Sequence, residues 1–370
     1  MCSRGESLIL VVQNPNRQLF TFTVRGSNVI SQAHATTRSM ASVRARPSSL
    51  ALAAALYVLL LIAFWVAALH FNMPERIRGH MPSSFTAFSL ILAPYWFFGF
   101  GLADELRRVL HNKWLRILLP GVLAIPYPIF SIPRGEFRAM YAALLVLIPV
   151  LAAALFEFLP QKGTPEGAKF CWQDLVVLSM FFLPVEFGLL RFAFPYSGLG
   201  ALPKLILVDS ALYSYLVIRN LDRVGYDFRF RFRDLAVGIR ELLFYAPIAI
   251  GLGLALHFLR PHRGLPSAPQ ALGALLITFF FVAIPEELFF RGALQNLLEA
   301  RIGHRRAWII ASVIFGFSHF NKPLPFNWRY VIMGSIAGMF YGRAWRERRR
   351  LAASATTHTM VDVLWSLWFR

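Results

Sequence analysis

Three short stretches in the last quarter of the chain set ionisable residues among apolar ones. They are Ile284-Pro285-Glu286-Glu287-Leu288-Phe289-Phe290-Arg291, Phe315-Gly316-Phe317-Ser318-His319 and His358-Thr359-Met360-Val361-Asp362. A charged side chain at the centre of a bilayer costs about 2.5–3.5 kcal/mol on insertion scales, so such residues are kept where they face a cavity or a partner. On a helix, Glu286 and Glu287 point about 100° apart and are not expected to serve one face. Glu287 and Arg291 are four apart with the acid on the N-terminal side, the better orientation for a helical ion pair. Arg291 is therefore expected to neutralise Glu287 and leave Glu286 free. Phe315 shares a helical face with His319, and His358 shares one with Asp362. A free carboxylate beside an imidazole can activate water as a general base. A second imidazole with a hydrogen-bonding neighbour can donate to a developing oxyanion. Together these make a hydrolase, and within a bilayer the plausible target is a peptide bond. One Glu and two His could also hold zinc, but the chain has no HExxH, so the zincin form of that idea fails. Each stretch alone is compatible with a structural role. Five uncompensated groups on three helices are expected to converge on one hydrated cavity.

The elements that must position these groups are apolar runs. A spanning helix needs about 20 predominantly apolar residues. Eleven candidates follow one another: Leu50–Phe71, Phe85–Leu102, Leu115–Ile132, Met140–Leu159, Leu175–Leu190, Leu202–Ile218, Leu242–Leu259, Leu272–Phe290, Ala307–Phe320, Tyr330–Trp345 and Leu351–Phe369. Pro120, Pro126 and Pro128 make the third bent or re-entrant. The stretch Asn321–Pro325 is expected to break the chain soon after His319. Gly334, Gly338 and Gly342 recur every four residues and permit close helix approach. Upstream, Glu157, Glu186 and Asp209 also lie in apolar runs. Structural pairing is expected for them, Glu186 having Arg191 nearby, while Asp209 has no evident partner. The alternation in Tyr226–Asp234 suits a short strand or an interfacial loop anchor.

Composition agrees with a polytopic membrane protein. The chain is 57% apolar and only 15% charged, against about 25% charged in soluble domains. Lys and Arg number 38 against 19 Asp and Glu, a net charge of +19. The Arg residues fall between apolar runs, which points to loop charge facing an anionic leaflet and away from nucleic acid. With a cytoplasmic N-terminus, the heaviest loops, 219–240, 291–306 and 343–350, all fall inside. Two cysteines exclude a disulfide scaffold. Residues 1–49 read as a loosely ordered cytoplasmic tail, and Met40, just ahead of Arg44 and Arg46, is an alternative start. Residues 50–241 read as N-terminal transmembrane helices and 242–370 as the catalytic unit. The expected class is an all-α transmembrane bundle of about eleven spans with a C-terminal four-helix core.

The spacings Glu286-Glu287-x-x-x-Arg291, Phe315-x-x-x-His319 and His358-x-x-x-Asp362, in that order on successive apolar helices, resemble the three motifs of the CPBP family. These are the CAAX prenyl protease type II and bacteriocin-processing membrane endopeptidases. The resemblance covers roughly residues 272–369. It implies an intramembrane glutamate protease with a cavity open to the cytoplasm, a membrane-tethered peptide or protein as substrate, and no metal or cofactor. By motif match, Glu286 and His319 would activate water, and His358 and Asp362 would take the oxyanion-binding positions. Glu287, Arg291 and Phe315 would support them. The last motif position is commonly Asn in the family and is Asp362 here; an ionised Asp cannot donate a hydrogen bond. A bacterial plasma membrane is the expected location. The competing readings are a non-catalytic scaffold, immunity or maturation factor on the same fold, and a transporter using buried Glu and His as a proton relay.

Overall fold

The computed structural model describes residues 8–13, 19–24, 47–70, 75–159, 170–196, 199–261, 266–322 and 326–369. The chain divides into two units, 1–44 and 45–370. In the first, β1 (Leu8–Gln13) and β2 (Leu19–Val24) pair antiparallel, with Leu8 opposite Val24 and Gln13 opposite Leu19. A loose tail was expected over this stretch. The two runs that form the strands are its apolar ones, and β2 alternates apolar residues with Thr, a pattern that suits a strand. Met40, Arg44 and Arg46 lie outside the described residues.

The second unit is all-helical. Its helices are α1 (Pro47–His70), α2 (Met81–Phe98), α3 (Leu102–Val109), α4 (Lys113–Arg134), α5 (Ala139–Glu157), α6 (Trp172–Glu186), α7 (Ala201–Ile218) and α8 (Phe232–Ala255), followed by α9 (Ala268–Ile302), α10 (His304–Phe317), α11 (Trp328–Arg348) and α12 (Leu351–Trp368). Each of the eleven apolar runs is helical. Among the described residues six helices are long and apolar enough to cross a membrane: α1, α4, α5, α7, α8 and α9. A seventh arises if α2 and α3, bent by 89° at Gly99–Gly101, count as one broken span. The other runs fall short for physical reasons. α6 and α10 have only 15 and 14 residues. α11 carries Arg at both ends, and α12 is rich in Ser and Thr besides its His and Asp. The Pro-rich run is indeed uneven, changing to 3-10 turns at Leu119–Ala124 within α4. The boundary expected at 241/242 falls inside α8, which begins at Phe232.

One apolar core runs from Tyr57 in α1 to Ala355 in α12, so the upstream helices and the motif helices share it. The Tyr95 hydroxyl in α2 donates to the Phe280 carbonyl in α9 at 2.6 Å. α11 packs against α10, α8 and α12. The glycines make the first of these contacts possible. A Cβ on Gly334 would stand 3.2 Å from Gly316 Cα, and one on Gly316 would overlap Ser335 and the Val331 carbonyl.

Residues 226–231 form neither helix nor strand, with a bend at Arg229. Their alternation has another cause. Tyr226 and Phe228 turn inward onto Tyr95, and Phe228 also meets Phe280. Asp227 between them accepts from Arg229 Nε at 2.9 Å and pairs with Arg350. Asp234 accepts from Arg348 and Arg350 at 3.1 and 2.5 Å. Gly225, with φ +80, lies so close to the backbone of Arg349 and Arg350 that a Cβ would overlap it. The Arg-rich loop 219–234 is thus stitched to the α11–α12 junction.

Candidate active site

Glu286 and Glu287 sit mid-way along α9, a continuous helical run of 35 residues. The regular turn Ile284–Glu287 is flanked by two π-helical stretches, Phe279–Ala283 and Leu288–Gln295. Such insertions are frequent at functional sites because they re-aim side chains without ending the helix. Glu287 and Arg291 are fully buried and pair at 3.1 Å between Nε and Oε2, as the i,i+4 spacing predicts. Both Arg291 Nη atoms lack a hydrogen-bond partner. Its guanidinium lies 5.4 Å from the Phe315 ring centroid, and a Cβ on Gly338 would stand 3.2 Å from Nη2. The bare glycine therefore leaves room for the charge.

His358, in the middle of α12, is the hub. Its Nδ1 is 3.0 Å from Glu287 Oε1, its Nε2 is 3.8 Å from Glu286 Oε2 and 3.5 Å from Asp362 Oδ2. The expectation that adjacent glutamates could not serve one face needs correction. An imidazole offers two nitrogens on different edges, and diverging carboxylates can approach one each. Tyr341 stacks on the His358 ring with centroids 4.6 Å apart and planes 14° apart. Phe315 meets it edge-on at 5.6 Å. Glu286 is about one-third exposed, and its Oε2 has no hydrogen-bond partner. Asp362 is similarly open.

α10 ends at Phe317, so His319 stands just past the helix end, as the following sequence break suggests; residues 323–325 of that break lie outside the described residues. Its Nδ1 is 3.0 Å from the Phe315 carbonyl and 3.1 Å from Ser318 Oγ. A carbonyl only accepts, so Nδ1 carries a proton, and in the neutral ring the lone pair is on Nε2. No hydrogen bond or ion pair among the described residues joins His319 to Glu286. His319 instead shares a cavity of about 350 Å³ with His358, Asp362, Tyr330 and Tyr341. Its ring lies 4.5 Å from that of Tyr330. Glu286 opens onto a second cavity, of about 150 Å³, shared with Ser318, Lys322, Glu186 and Lys204. Among the described residues no group of three or more His, Cys, Asp and Glu side chains is arranged to hold a metal ion.

The seven residues singled out in the sequence lie near one another but do not share the single cavity expected: Phe315, His319, His358 and Asp362 line the first, and Glu286 lines the second. Sequence reasoning missed Tyr330 and Tyr341, which carried no signal beyond their apolar surroundings. The upstream acids are explained in part. Glu157 pairs with Arg116 at 3.1 Å. Glu186 pairs with Lys322 at 3.2 Å, where Arg191 was expected; the helix end turns the neighbouring arginine onto Phe192 instead. Asp209 is buried, and its Oδ1 has no hydrogen-bond partner.

No curated protein and no solved structure matches the chain. A family model does: residues 268–364 match the type II CAAX prenyl endopeptidase Rce1-like family. That segment, about a quarter of the chain, runs from α9 into α12 and contains every residue of the site, so the similarity to the CPBP/CAAX proteases lies where the candidate residues are.

Proposed function

We propose that this chain is a glutamate-type intramembrane endopeptidase that hydrolyses peptide bonds of membrane-associated substrates, CAAX-like ones among them. The observation that carries the reading is Glu286, which lines a cavity and whose Oε2 has no hydrogen-bond partner while standing 3.8 Å from His358 Nε2. A carboxylate so placed can take a proton from water. His319, on the neighbouring cavity lined also by His358, is the second basic group, reaching that water once substrate joins the two cavities. Glu287 accepts from His358 Nδ1–H and fixes the ring. With a proton also on Nε2, His358 offers a donor to the oxyanion, and the acids around it compensate the charge. Asp362 cannot donate when ionised; its role is to orient His358 by accepting toward Nε2. Arg291 keeps Glu287 charged, and Phe315 walls the site. The reading needs no metal.

We further propose a bacterial plasma membrane and a cytoplasmic N-terminus. The Arg-rich loop 219–234, the end of α9 and the α11–α12 junction gather at one end of the bundle, and such charge is retained on the cytoplasmic side.

The test is cleavage of a farnesylated peptide library by the full chain in proteoliposomes. Glu286→Gln should reduce turnover about 10²–10⁴-fold, the usual contribution of a positioned general base, with an unchanged melting curve. Full activity in that variant removes Glu286 from the mechanism. Loss of wild-type activity on chelation, restored by zinc, replaces the glutamate reading with a metal one. An inactive wild type whose Glu286→Gln, His319→Ala form still complements a deletion strain makes the chain a scaffold.

A further inference from the structure

The alternating stretch Tyr226–Asp234 takes no part in the proposed chemistry. Its inward rings, Tyr226 and Phe228, pack on α2 and α9. Its outward rings do not. Phe230 is 69% exposed and Phe232 78%, the highest value for a large apolar side chain among the described residues. The two meet edge to face at 4.9 Å, where the chain enters the spanning helix α8. From Phe232 an exposed apolar stripe continues along α8 through Ile239, Leu243 and Ile250 at helical spacing. The arginines around these rings outnumber their acids. Asp227 is shared by Arg229 at 2.9 Å, Arg231 at 3.6 Å and Arg350. Asp234 is shared by Arg348 and Arg350. Arg233 is exposed and has no ion pair among the described residues. Five guanidiniums therefore share two carboxylates. The neighbouring acids do not make up the difference: Glu241 and Glu347 are taken by Arg240 and Arg343, Glu299 by Arg349, and Asp104 by Arg107.

We propose that Phe230, Arg231, Phe232 and Arg233 bind an anionic phospholipid, its phosphate against the guanidiniums and its chains along the α8 stripe. The inference goes beyond the peptidase reading and does not depend on it. A phosphodiester only accepts hydrogen bonds, and the planar guanidinium meets it with two parallel N–H groups. Arginine stems lie along apolar surface while their heads reach the headgroup layer. Among the described residues no side chain caps the start of α8, so its first N–H groups add to the field that favours an anion. The occupant must bring apolar surface as well as charge. A free phosphate or an acidic peptide would satisfy the arginines and leave both phenylalanines in water, whereas phenylalanine beside arginine suits the boundary between headgroups and acyl chains. A zwitterionic lipid covers the rings equally but carries a cation that the surplus arginines repel, so the site selects by charge. The segment is fixed from behind. The Gly225 carbonyl accepts from the Leu351 N–H at 2.9 Å, and Trp345 Nε1 donates to the Val224 carbonyl at 3.1 Å.

The experiment places the full chain in nanodiscs of equal parts phosphatidylglycerol and phosphatidylcholine and reads, by native mass spectrometry, which lipid stays bound on release. No substrate is present, so an inactive chain tests the proposal as well as an active one. Expected is retention of phosphatidylglycerol about fivefold or more over phosphatidylcholine, the contribution of one well-placed arginine. Arg231→Gln, Arg233→Gln together should bring the ratio toward one. Phe230→Ser, Phe232→Ser should lower retention of both lipids. Arg305→Gln, Arg306→Gln, the same loss of charge at exposed positions on α10, should leave the ratio as it is. Equal retention of the two lipids by the wild type overturns the site, as does an unchanged ratio in the folded arginine variant or unchanged retention in the phenylalanine variant. An equal fall in the α10 variant also overturns it, since diffuse surface charge then accounts for the preference. Folding is read from melting curves. A failure of the double arginine variant to fold passes the test to Arg233→Gln alone, which breaks no ion pair and should still narrow the ratio.

Discussion

The upstream helices and the motif helices bury charge in opposite styles. Upstream, acids and bases come in matched pairs. Asp174 and Arg219 meet at 3.1 Å with almost no exposure, and Glu157 meets Arg116 at the same distance. Around His358, three acids, Glu286, Glu287 and Asp362, gather on one imidazole with one guanidinium beside them. Matched pairs hold helices together and leave nothing over. The unmatched set leaves the Glu286 Oε2 without a hydrogen bond, and that surplus is what chemistry can use. Asp209 is the upstream exception: buried and unmatched, yet remote in sequence from every motif.

The sharpest way to break this contrast is to remove one acid from each region. Breaking a buried pair leaves an uncompensated charge and costs about 3–5 kcal/mol. Both Glu287→Ala and Asp174→Ala should therefore lower chemical-denaturation stability by that order. Only Glu287→Ala should also abolish cleavage by the protein that remains folded, since it frees His358 Nδ1. Equal specific activity in the two folded variants would erase the distinction. A smaller effect is expected where the two helices of the site touch. Gly316→Ala puts a methyl group onto Ser335 and the Val331 carbonyl, and overpacking of that kind costs about 1–3 kcal/mol. Its melting temperature should fall while Gly251→Ala, in open space on α8, changes little; equal melting curves would show that α10 and α11 are not in contact.

The smallest effect concerns the loop outside the spans. Burial pushes the Asp227 carboxyl up, but the hydrogen bond from Arg229 and the charge of Arg350 outweigh it and hold the group below the usual carboxylate range. A depressed folded-state pKa means stability that is present above the unfolded value, near pH 4, and lost as pH falls through the folded one. Arg229→Ala should slightly lower stability at pH 7, where that contribution is fully present, and move the acid-unfolding midpoint to higher pH. Superimposable acid profiles would refute the pairing.

Much of this architecture could be read from residue order, and what could not has a common cause. Apolar runs of about 15–20 residues fix helices locally, so all eleven are present. The Glu287–Arg291 pair is a property of one helix and followed from spacing alone. Contacts between elements depend on packing, which no local pattern encodes. Thus the Glu287–His358 bond, 71 residues apart, was not foreseen, and Glu186 found Lys322 across 136 residues when Arg191 stood five away. The π-helical stretches that flank the two glutamates leave no compositional trace either. The count of eleven spans is not matched by length and composition alone: α9, which carries both glutamates, passes with five others, whereas α10 is too short and α12 too polar to pass.

The flat seat of Tyr341 against His358 has a mechanical corollary. Rotation about the histidine's Cβ–Cγ bond tips the imidazole plane, so a ring laid flat on one face resists it. The stack therefore keeps one nitrogen turned to Glu287 and the other to Glu286 and Asp362.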